Sequence, residues 1–142
     1  MKKYIAEVSV PINAPVDKVW KALTNPETVK AYMFGTNVIS KWEEGGAINW
    51  FGEWEGNHYE EKGIITKLIP AKRLQYTRYN NLSGLQDVPE SYQLITIDLL
   101  ANERGVSIAL TEDNNSTEHA KERSEEVWKT ILNNLKELME RE

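Results

Sequence analysis

The stretch that decides the fold runs from Ser116 to Arg141 and reads STEHAKERSEEVWKTILNNLKELMER. Its apolar residues recur at intervals of three and four, which predicts a helix with one apolar face. That face carries Val127, Trp128, Ile131, Leu132, Leu135, Leu138 and Met139. At ~1.5 Å per residue the helix is roughly 39 Å long. In a small domain it needs a large apolar surface to lie on, and a curved antiparallel sheet would provide one.

Most of the chain before this helix predicts strands. Residues 3–13 alternate between apolar and polar side chains, as a half-buried strand does. Two short helices follow, the first after Pro15 and the second capped by Asn25 and reaching about Met33. Six further strands are predicted over 38–42, 47–54, 58–69, 73–79, 91–100 and 106–111. Asn115, with Glu118 three residues later, resembles a capping box at the start of the long helix.

The element order is therefore β-α-α-β6-α, which predicts a single α+β domain over residues 1–142 with about seven mostly antiparallel strands. The chain contains no cysteine, so disulfides and thiolate chemistry are excluded. Its net charge is -5 and its basic residues are scattered, which argues against nucleic-acid binding. No run of 18 apolar residues occurs, so no membrane partner is expected. The start of the chain lacks the apolar stretch of a signal peptide, which favours a cytoplasmic location.

Several motifs follow one another along the chain. They are Val10-Pro11-Ile12-Asn13-Ala14-Pro15, the run from Val19 to Glu27, Gly45-Gly46 before a Trp-rich strand, Gly63-Ile64-Ile65 leading to Pro70 and Leu74, and Trp128 in the last helix. In this order they resemble the START-like, or SRPBCC, superfamily, and most of all its activator of heat-shock-protein ATPase homologue group. The segments Leu82-Ser83-Gly84 and Asp87 to Tyr92 are similar to a signature of one bacterial branch.

The resemblance implies a helix-grip fold, in which the curved sheet wraps around the C-terminal helix and leaves a cavity between them. It also implies binding of apolar molecules such as lipids, sterols, polyketides or flavonoids. We expect the cavity to be lined by Trp50, Trp54, Tyr76, Tyr92, Ile95, Ile97, Leu99, Ile108, Trp128, Ile131, Leu132 and Leu135. Members of the family often carry Gly before the helix tryptophan, where this chain has Val127, a bulkier residue that would narrow the space.

The pattern of reactive residues predicts no catalytic site, no metal site and no cofactor. His58 and His119 lie far apart in polar surroundings and lack the spacing of metal ligands. No serine has a histidine at a recognisable spacing, and Gly45-Gly46 is a hairpin rather than a phosphate loop. Asp87 and Glu90 flank Pro89 in the longest polar loop, where they either contact a ligand or order the loop through backbone hydrogen bonds.

Three functions stay open. The first is binding of a small apolar or aromatic molecule. The second is a protein-interaction module that acts on a heat-shock ATPase, a partner suggested by the family name alone. The third is an enzyme on a hydrophobic molecule, which needs a buried titratable group at the cavity, with Glu90, Arg78 and Tyr76 as candidates. The protein is expected to be a monomer or a weak dimer.

Overall fold

A computed structural model describes residues 4–141, with the side chain of Trp54 excepted. It confirms the α+β helix-grip architecture, a seven-stranded antiparallel sheet gripping a long C-terminal helix. The elements are β1 (Tyr4–Ile12), α1 (Val16–Leu23), α2 (Pro26–Tyr32), β2 (Asn37–Ser40), β3 (Ala47–Trp54), β4 (Asn57–Ile69), β5 (Arg73–Asn80), β6 (Gln93–Asn102), β7 (Gly105–Asn115) and α3 (Glu118–Glu140). A short 3-10 helix, Pro89–Ser91, lies in the loop between β5 and β6.

The strands lie in the order β1-β7-β6-β5-β4-β3-β2, and every neighbouring pair is antiparallel. After the first strand, each strand pairs with the next one along the chain, and the last returns to pair with β1. The core lies between the concave face of this sheet and the three helices, with Ile65, Ile95, Ile108 and Leu135 fully buried. This order leaves β1 and β2 as the two edges of the sheet.

The two short helices begin as their sequences predict. The Asn25 side chain accepts hydrogen bonds from the backbone N–H groups of Glu27 and Thr28, and Pro26 occupies the first turn of α2. Helix α1 buries Val19, Ala22 and Leu23 against the sheet, so it closes one end of the core.

The start of α3 differs from the expected capping box. Thr117, not Asn115, is the N-cap, and its hydroxyl accepts a hydrogen bond from the backbone N–H of Ala120. Asn115 is instead the last residue of β7, where its buried amide donates to the backbone oxygens of Tyr4 and Glu112. Strand β7 therefore runs four residues beyond its expected end at Thr111. The longer strand carries Glu112 into the interior.

Helix α3 runs along the edge strand β1 and is bonded to its backbone. Glu125 accepts a hydrogen bond from the backbone N–H of Glu7 at 3.0 Å, and Glu140 accepts one from Asn13 at 2.7 Å. The ammonium group of Lys136 donates to the carbonyl of Pro11 at 2.9 Å. These contacts hold the helix parallel to the outer strand over most of its length. Among the described residues, no helix combines the length and apolar character needed to cross a bilayer.

Candidate functional site

A cavity of about 830 Å³ lies beneath the first half of α3. Its walls come from the turn after α2, from strands β3, β4, β5 and β7, from the loop after β5, and from α3. We call it the main cavity. Its volume lies within the range of sites that bind small molecules.

A buried ion pair lines the main cavity. Glu112 is 1% exposed, and its Oε1 accepts hydrogen bonds from Arg78 Nη2 at 2.6 Å and from Trp128 Nε1 at 2.8 Å. Arg78 Nη2 also donates to Gln93 Oε1 at 2.6 Å, and its guanidinium carbon lies 5.8 Å from the centre of the Trp128 ring. Arg78, Glu112, Gln93 and Trp128 thus form one hydrogen-bonded network at the cavity.

Strand periodicity places both charged residues in the interior. In β7, Val106, Ile108 and Leu110 alternate on the buried face, and Glu112 occupies the next position of that alternation. In β5, Arg78 follows Leu74 and Tyr76 in the same way. The sequence reasoning named Arg78 as a candidate but missed Glu112, because it ended the strand at Thr111. The signal was present, since a glutamate continues an otherwise apolar alternation.

The ion pair keeps both groups charged. Burial by itself would raise the pKa of Glu112, but the positive charge of Arg78 and hydrogen bonds from Trp128 and Ser124 hold that pKa below its ordinary value. Burial by itself would lower the pKa of Arg78, but the charges of Glu61 and Glu112 outweigh it and the pKa is raised. At neutral pH the cavity therefore contains a fixed carboxylate and a fixed guanidinium group.

Further polar groups line the side of the cavity formed by β3 and β4. Glu61 accepts a hydrogen bond from the amide of Asn80 at 2.7 Å. The Tyr59 hydroxyl is hydrogen-bonded to the hydroxyl of Thr36, which is buried. Gly52 makes this possible, because a Cβ on Gly52 would lie 2.8 Å from the Tyr59 hydroxyl oxygen. The tyrosine thus crosses its neighbouring strand at a position that has no side chain.

The mouth of the cavity is apolar and exposed. Phe34 is 53% exposed, Leu82 54% and Val127 51%, and all three line the cavity. Val127, the residue expected to narrow the space, lies at this mouth rather than in the packed core. The main cavity therefore combines an apolar entrance with a charged interior.

A second, smaller cavity lies deeper in the core. Its volume is about 30 Å³, which leaves room for a water molecule or two but not for a ligand. Trp50 and Tyr76 lie beside it with ring centres 4.8 Å apart, and Ile97 and Leu132 complete much of its wall. Trp128 and Ile131 line both cavities.

The remaining residues expected at the cavity lie elsewhere. Four of them line neither cavity and are buried in the packed core: Ile95, Leu99, Ile108 and Leu135. Tyr92 donates a hydrogen bond to Asp87 at 2.7 Å and packs against the Tyr79 ring. The side chain of Trp54 lies outside the described residues. Of the expected set, the main cavity thus brings together Trp128 and Ile131.

In the polar loop, Asp87 is bonded to two side chains and, among the described residues, not to the backbone N–H groups expected of a loop-ordering residue. Its carboxylate accepts from Tyr92 and pairs with Lys62, and these contacts lower the pKa of Asp87. Glu90 is exposed and lines neither cavity. His58 and His119 are both exposed, and the described residues contain no cluster of His, Cys, Asp and Glu side chains that could hold a metal ion.

Comparison with known proteins identifies a family. The family model described as "Activator of Hsp90 ATPase homolog 1-like protein" matches residues 13–140. No match is found among curated proteins.

Solved structures share the whole architecture. The solution structure of ChR145 from Cytophaga hutchinsonii is similar with a TM-score of 0.87 and 48% identity, covering 99% of this chain and 97% of that one. The solution structure of the Aha1 dimer from Colwellia psychrerythraea is similar with a TM-score of 0.75 and 20% identity, covering 97% of each chain. DynU16, described as a putative protein in the dynemicin biosynthetic locus, is similar with a TM-score of 0.80 and 16% identity; 97% of this chain matches 48% of that one. The last two likenesses concern the fold alone.

Proposed function

This chain belongs to the family of Activator of Hsp90 ATPase homolog 1-like proteins, and we propose that it binds a small apolar or aromatic molecule in the main cavity. The observation that carries this proposal is the 830 Å³ space roofed by α3, with an apolar mouth and a few convergent polar groups inside. That combination is typical of small-molecule sites, where apolar walls supply affinity and polar groups fix orientation. Phe34, Leu82 and Val127 would contact the apolar body of the ligand as it enters.

The charged pair supports binding rather than proton transfer. A general acid or base works best when its pKa lies near the operating pH. The pKa of Glu112 is lowered and that of Arg78 is raised, so neither group changes its charge near neutral pH. We therefore assign the pair to orientation of the ligand.

The proposal is tested by adding a flavonol, a fatty acid and a sterol separately to isotope-labelled protein and recording amide chemical shifts. Binding in the main cavity should shift the amides of Thr36, Arg78 and Val127. The variant Ala120→Phe adds bulk to the cavity wall and should weaken binding at least tenfold, an order-of-magnitude expectation for lost shape complementarity. Asn133→Phe is the matched control, because Asn133 is exposed on the same helix and lines neither cavity.

Shifts spread over the outer surface, or equal effects of the two variants, would contradict the proposal. The chaperone partner suggested by the family name is a separate prediction. It is tested by the ATPase rate of the host's own heat-shock ATPase with and without this chain, and an unchanged rate would argue against it.

A further inference from the structure

Strand β4 presents a carboxylate and an aromatic ring to the main cavity. Tyr59 and Glu61 are half-buried, and both line the cavity. Glu60 and Lys62, which alternate with them along the strand, are exposed on the outer face of the sheet. Residues two positions apart on one face of a strand are separated by roughly 7 Å, so one small polar group of a ligand can contact both Tyr59 and Glu61.

The charge of Glu61 is not balanced inside the cavity. Among the described residues, its carboxylate accepts one hydrogen bond, from the neutral amide of Asn80 at 2.7 Å, and belongs to no salt bridge. The guanidinium group of Arg78 is bonded directly to Glu112 at 2.6 Å. Burial lowers the pKa of Arg78, but the charges of Glu61 and Glu112 both raise it, so two carboxylates share one counter-charge. One negative charge is therefore left over beside β4.

The other charged residues of the lining do not reverse this excess. Glu53 and Glu126 contribute two exposed carboxylates, and Arg123 contributes one exposed guanidinium group. Coulomb attraction therefore favours a cation in the cavity over an anion. Tyr59 adds an aromatic ring on the same face of β4 as Glu61, and the face of such a ring attracts ammonium ions. A carboxylate with an aromatic neighbour is suited to recognise an organic ammonium group.

We propose that the ligand of the main cavity is an amine with an apolar body, and that Glu61 binds its ammonium group. The apolar body then lies toward the exposed mouth of the cavity, where Phe34, Leu82 and Val127 are placed to contact it. This inference deepens the proposed function and rests on it, since it names the ligand class of the same cavity. Carboxylates such as fatty acids are then the weakest ligands.

The test uses three probes that share one ring system and differ in charge. They are 2-naphthylmethylammonium, the neutral alcohol 2-naphthylmethanol and the anion 2-naphthoate. The dissociation constant of each is measured from amide chemical shifts on the full chain at neutral pH and low ionic strength. We expect the ammonium probe to bind about tenfold or more tightly than the alcohol, because a charge-assisted hydrogen bond is roughly twice as strong as a neutral one. The naphthoate should bind most weakly.

Two variants on β4 locate the preference. Glu61→Gln keeps an oxygen that accepts from Asn80 but removes the charge. The advantage of the ammonium probe over the alcohol should then fall to about threefold or less, since only the weak attraction of more distant charges is left. Glu60→Gln removes the same charge one residue away, at an exposed position that lines neither cavity, and should leave the ratio as it is. Equal falls in both variants would mean that the net charge of -5 attracts the probe without a specific site, which overturns the inference.

The results separate the inference from the proposed function. Binding of the alcohol or the naphthoate as tightly as the ammonium probe overturns the inference, while binding in the cavity stands. Failure of all three probes to shift any cavity amide overturns the proposed function and the inference with it. If Glu61→Gln does not fold, NOEs between the methylene protons of the ammonium probe and the side chains of Tyr59 and Glu61 decide the question in the wild type. Their presence supports the inference and their absence overturns it.

Discussion

The two halves of helix α3 have different surroundings: one half packs against the sheet and the other lines the main cavity. In the second half, residues 132–139, Leu132, Leu135 and Met139 are buried against the sheet. In the first half, residues 120–131, Trp128 and Ile131 are buried, but Ala120, Ser124 and Val127 line the main cavity. We call these the anchor segment, residues 132–139, and the roof segment, residues 120–131.

The difference arises in the sheet beneath the helix. Apolar alternation in β5 and β7 is interrupted by Arg78 and Glu112, and both of these residues line the cavity under the roof segment. Close packing stabilises the anchor segment, whereas the roof segment lies over an open space and a polar network. The helix is therefore packed closely against the sheet at one end and lies over an open cavity at the other.

Arg78→Leu should have the largest effect on stability. The substitution leaves the Glu112 carboxylate buried without its counter-charge, which costs about 3–5 kcal/mol in comparable pairs. The free energy of unfolding in urea measures the loss. Arg123→Leu, at an exposed position of the same cavity, should change that free energy by less than about 0.5 kcal/mol. Similar losses in both variants would show that the network under the roof segment contributes nothing specific.

Leu135→Ala should come next. Leu135 is 0% exposed, and removing a buried leucine side chain costs about 2–5 kcal/mol. Val127→Ala in the roof segment should change stability by no more than about 0.5 kcal/mol, since Val127 is 51% exposed. Urea unfolding of the pair of variants measures the contrast, and equal losses would erase the distinction between the two segments.

A smaller effect depends on pH. The pKa of Glu112 is lower in the folded state than in the unfolded chain, so its contribution is fully present above the ordinary glutamate pKa of about 4.3. It is lost as the pH falls through the lower pKa of the folded state. At pH 7 we expect the wild type to exceed Glu112→Gln in unfolding free energy by about 1–3 kcal/mol. The same comparison at decreasing pH should show the gap narrowing, and a gap that widens in acid would contradict the assignment.

The smallest effect concerns the bonds between α3 and β1. Glu140→Ala removes the acceptor of the Asn13 backbone N–H, and Glu125→Ala removes that of Glu7. Each variant should speed hydrogen exchange of its own partner amide while leaving the other amide unchanged. Amide exchange followed by NMR measures this, and acceleration at both amides by either variant would mean that the helix detaches as a whole.

The fold was predictable because its signals are local. Apolar alternation located the strands, the three-and-four spacing located α3, and Asn25-Pro26 located the start of α2. The prediction was wrong at the start of α3, where Asn115 and Thr117 are both good capping residues. Asn115 does not cap the helix because it pairs with Tyr4 of β1 and donates a hydrogen bond to the Tyr4 carbonyl. Tyr4 lies 111 positions earlier in the chain, so no local pattern indicates this contact.

The candidate site was predictable only in part. An aromatic and aliphatic cavity was expected, and Trp128 and Ile131 do line the main cavity, but its charged interior was not foreseen. Arg78 and Glu112 lie 34 positions apart, and no local pattern indicates that they meet. Strand register brings them together, since Ile95 is opposite both Tyr76 on β5 and Glu112 on β7. A charged residue at the next step of a buried alternation is the signal that would have found both.

The contacts between α3 and β1 also bear on self-association. An outermost strand with free amide and carbonyl groups is a template on which another chain adds by backbone pairing. Here helix carboxylates accept hydrogen bonds from the backbone N–H groups of Glu7 and Asn13, and the ammonium group of Lys136 donates to the carbonyl of Pro11. The strand at the opposite edge, β2, is only four residues long. Growth of the sheet from one molecule into the next, as in fibrils, is therefore disfavoured at both margins.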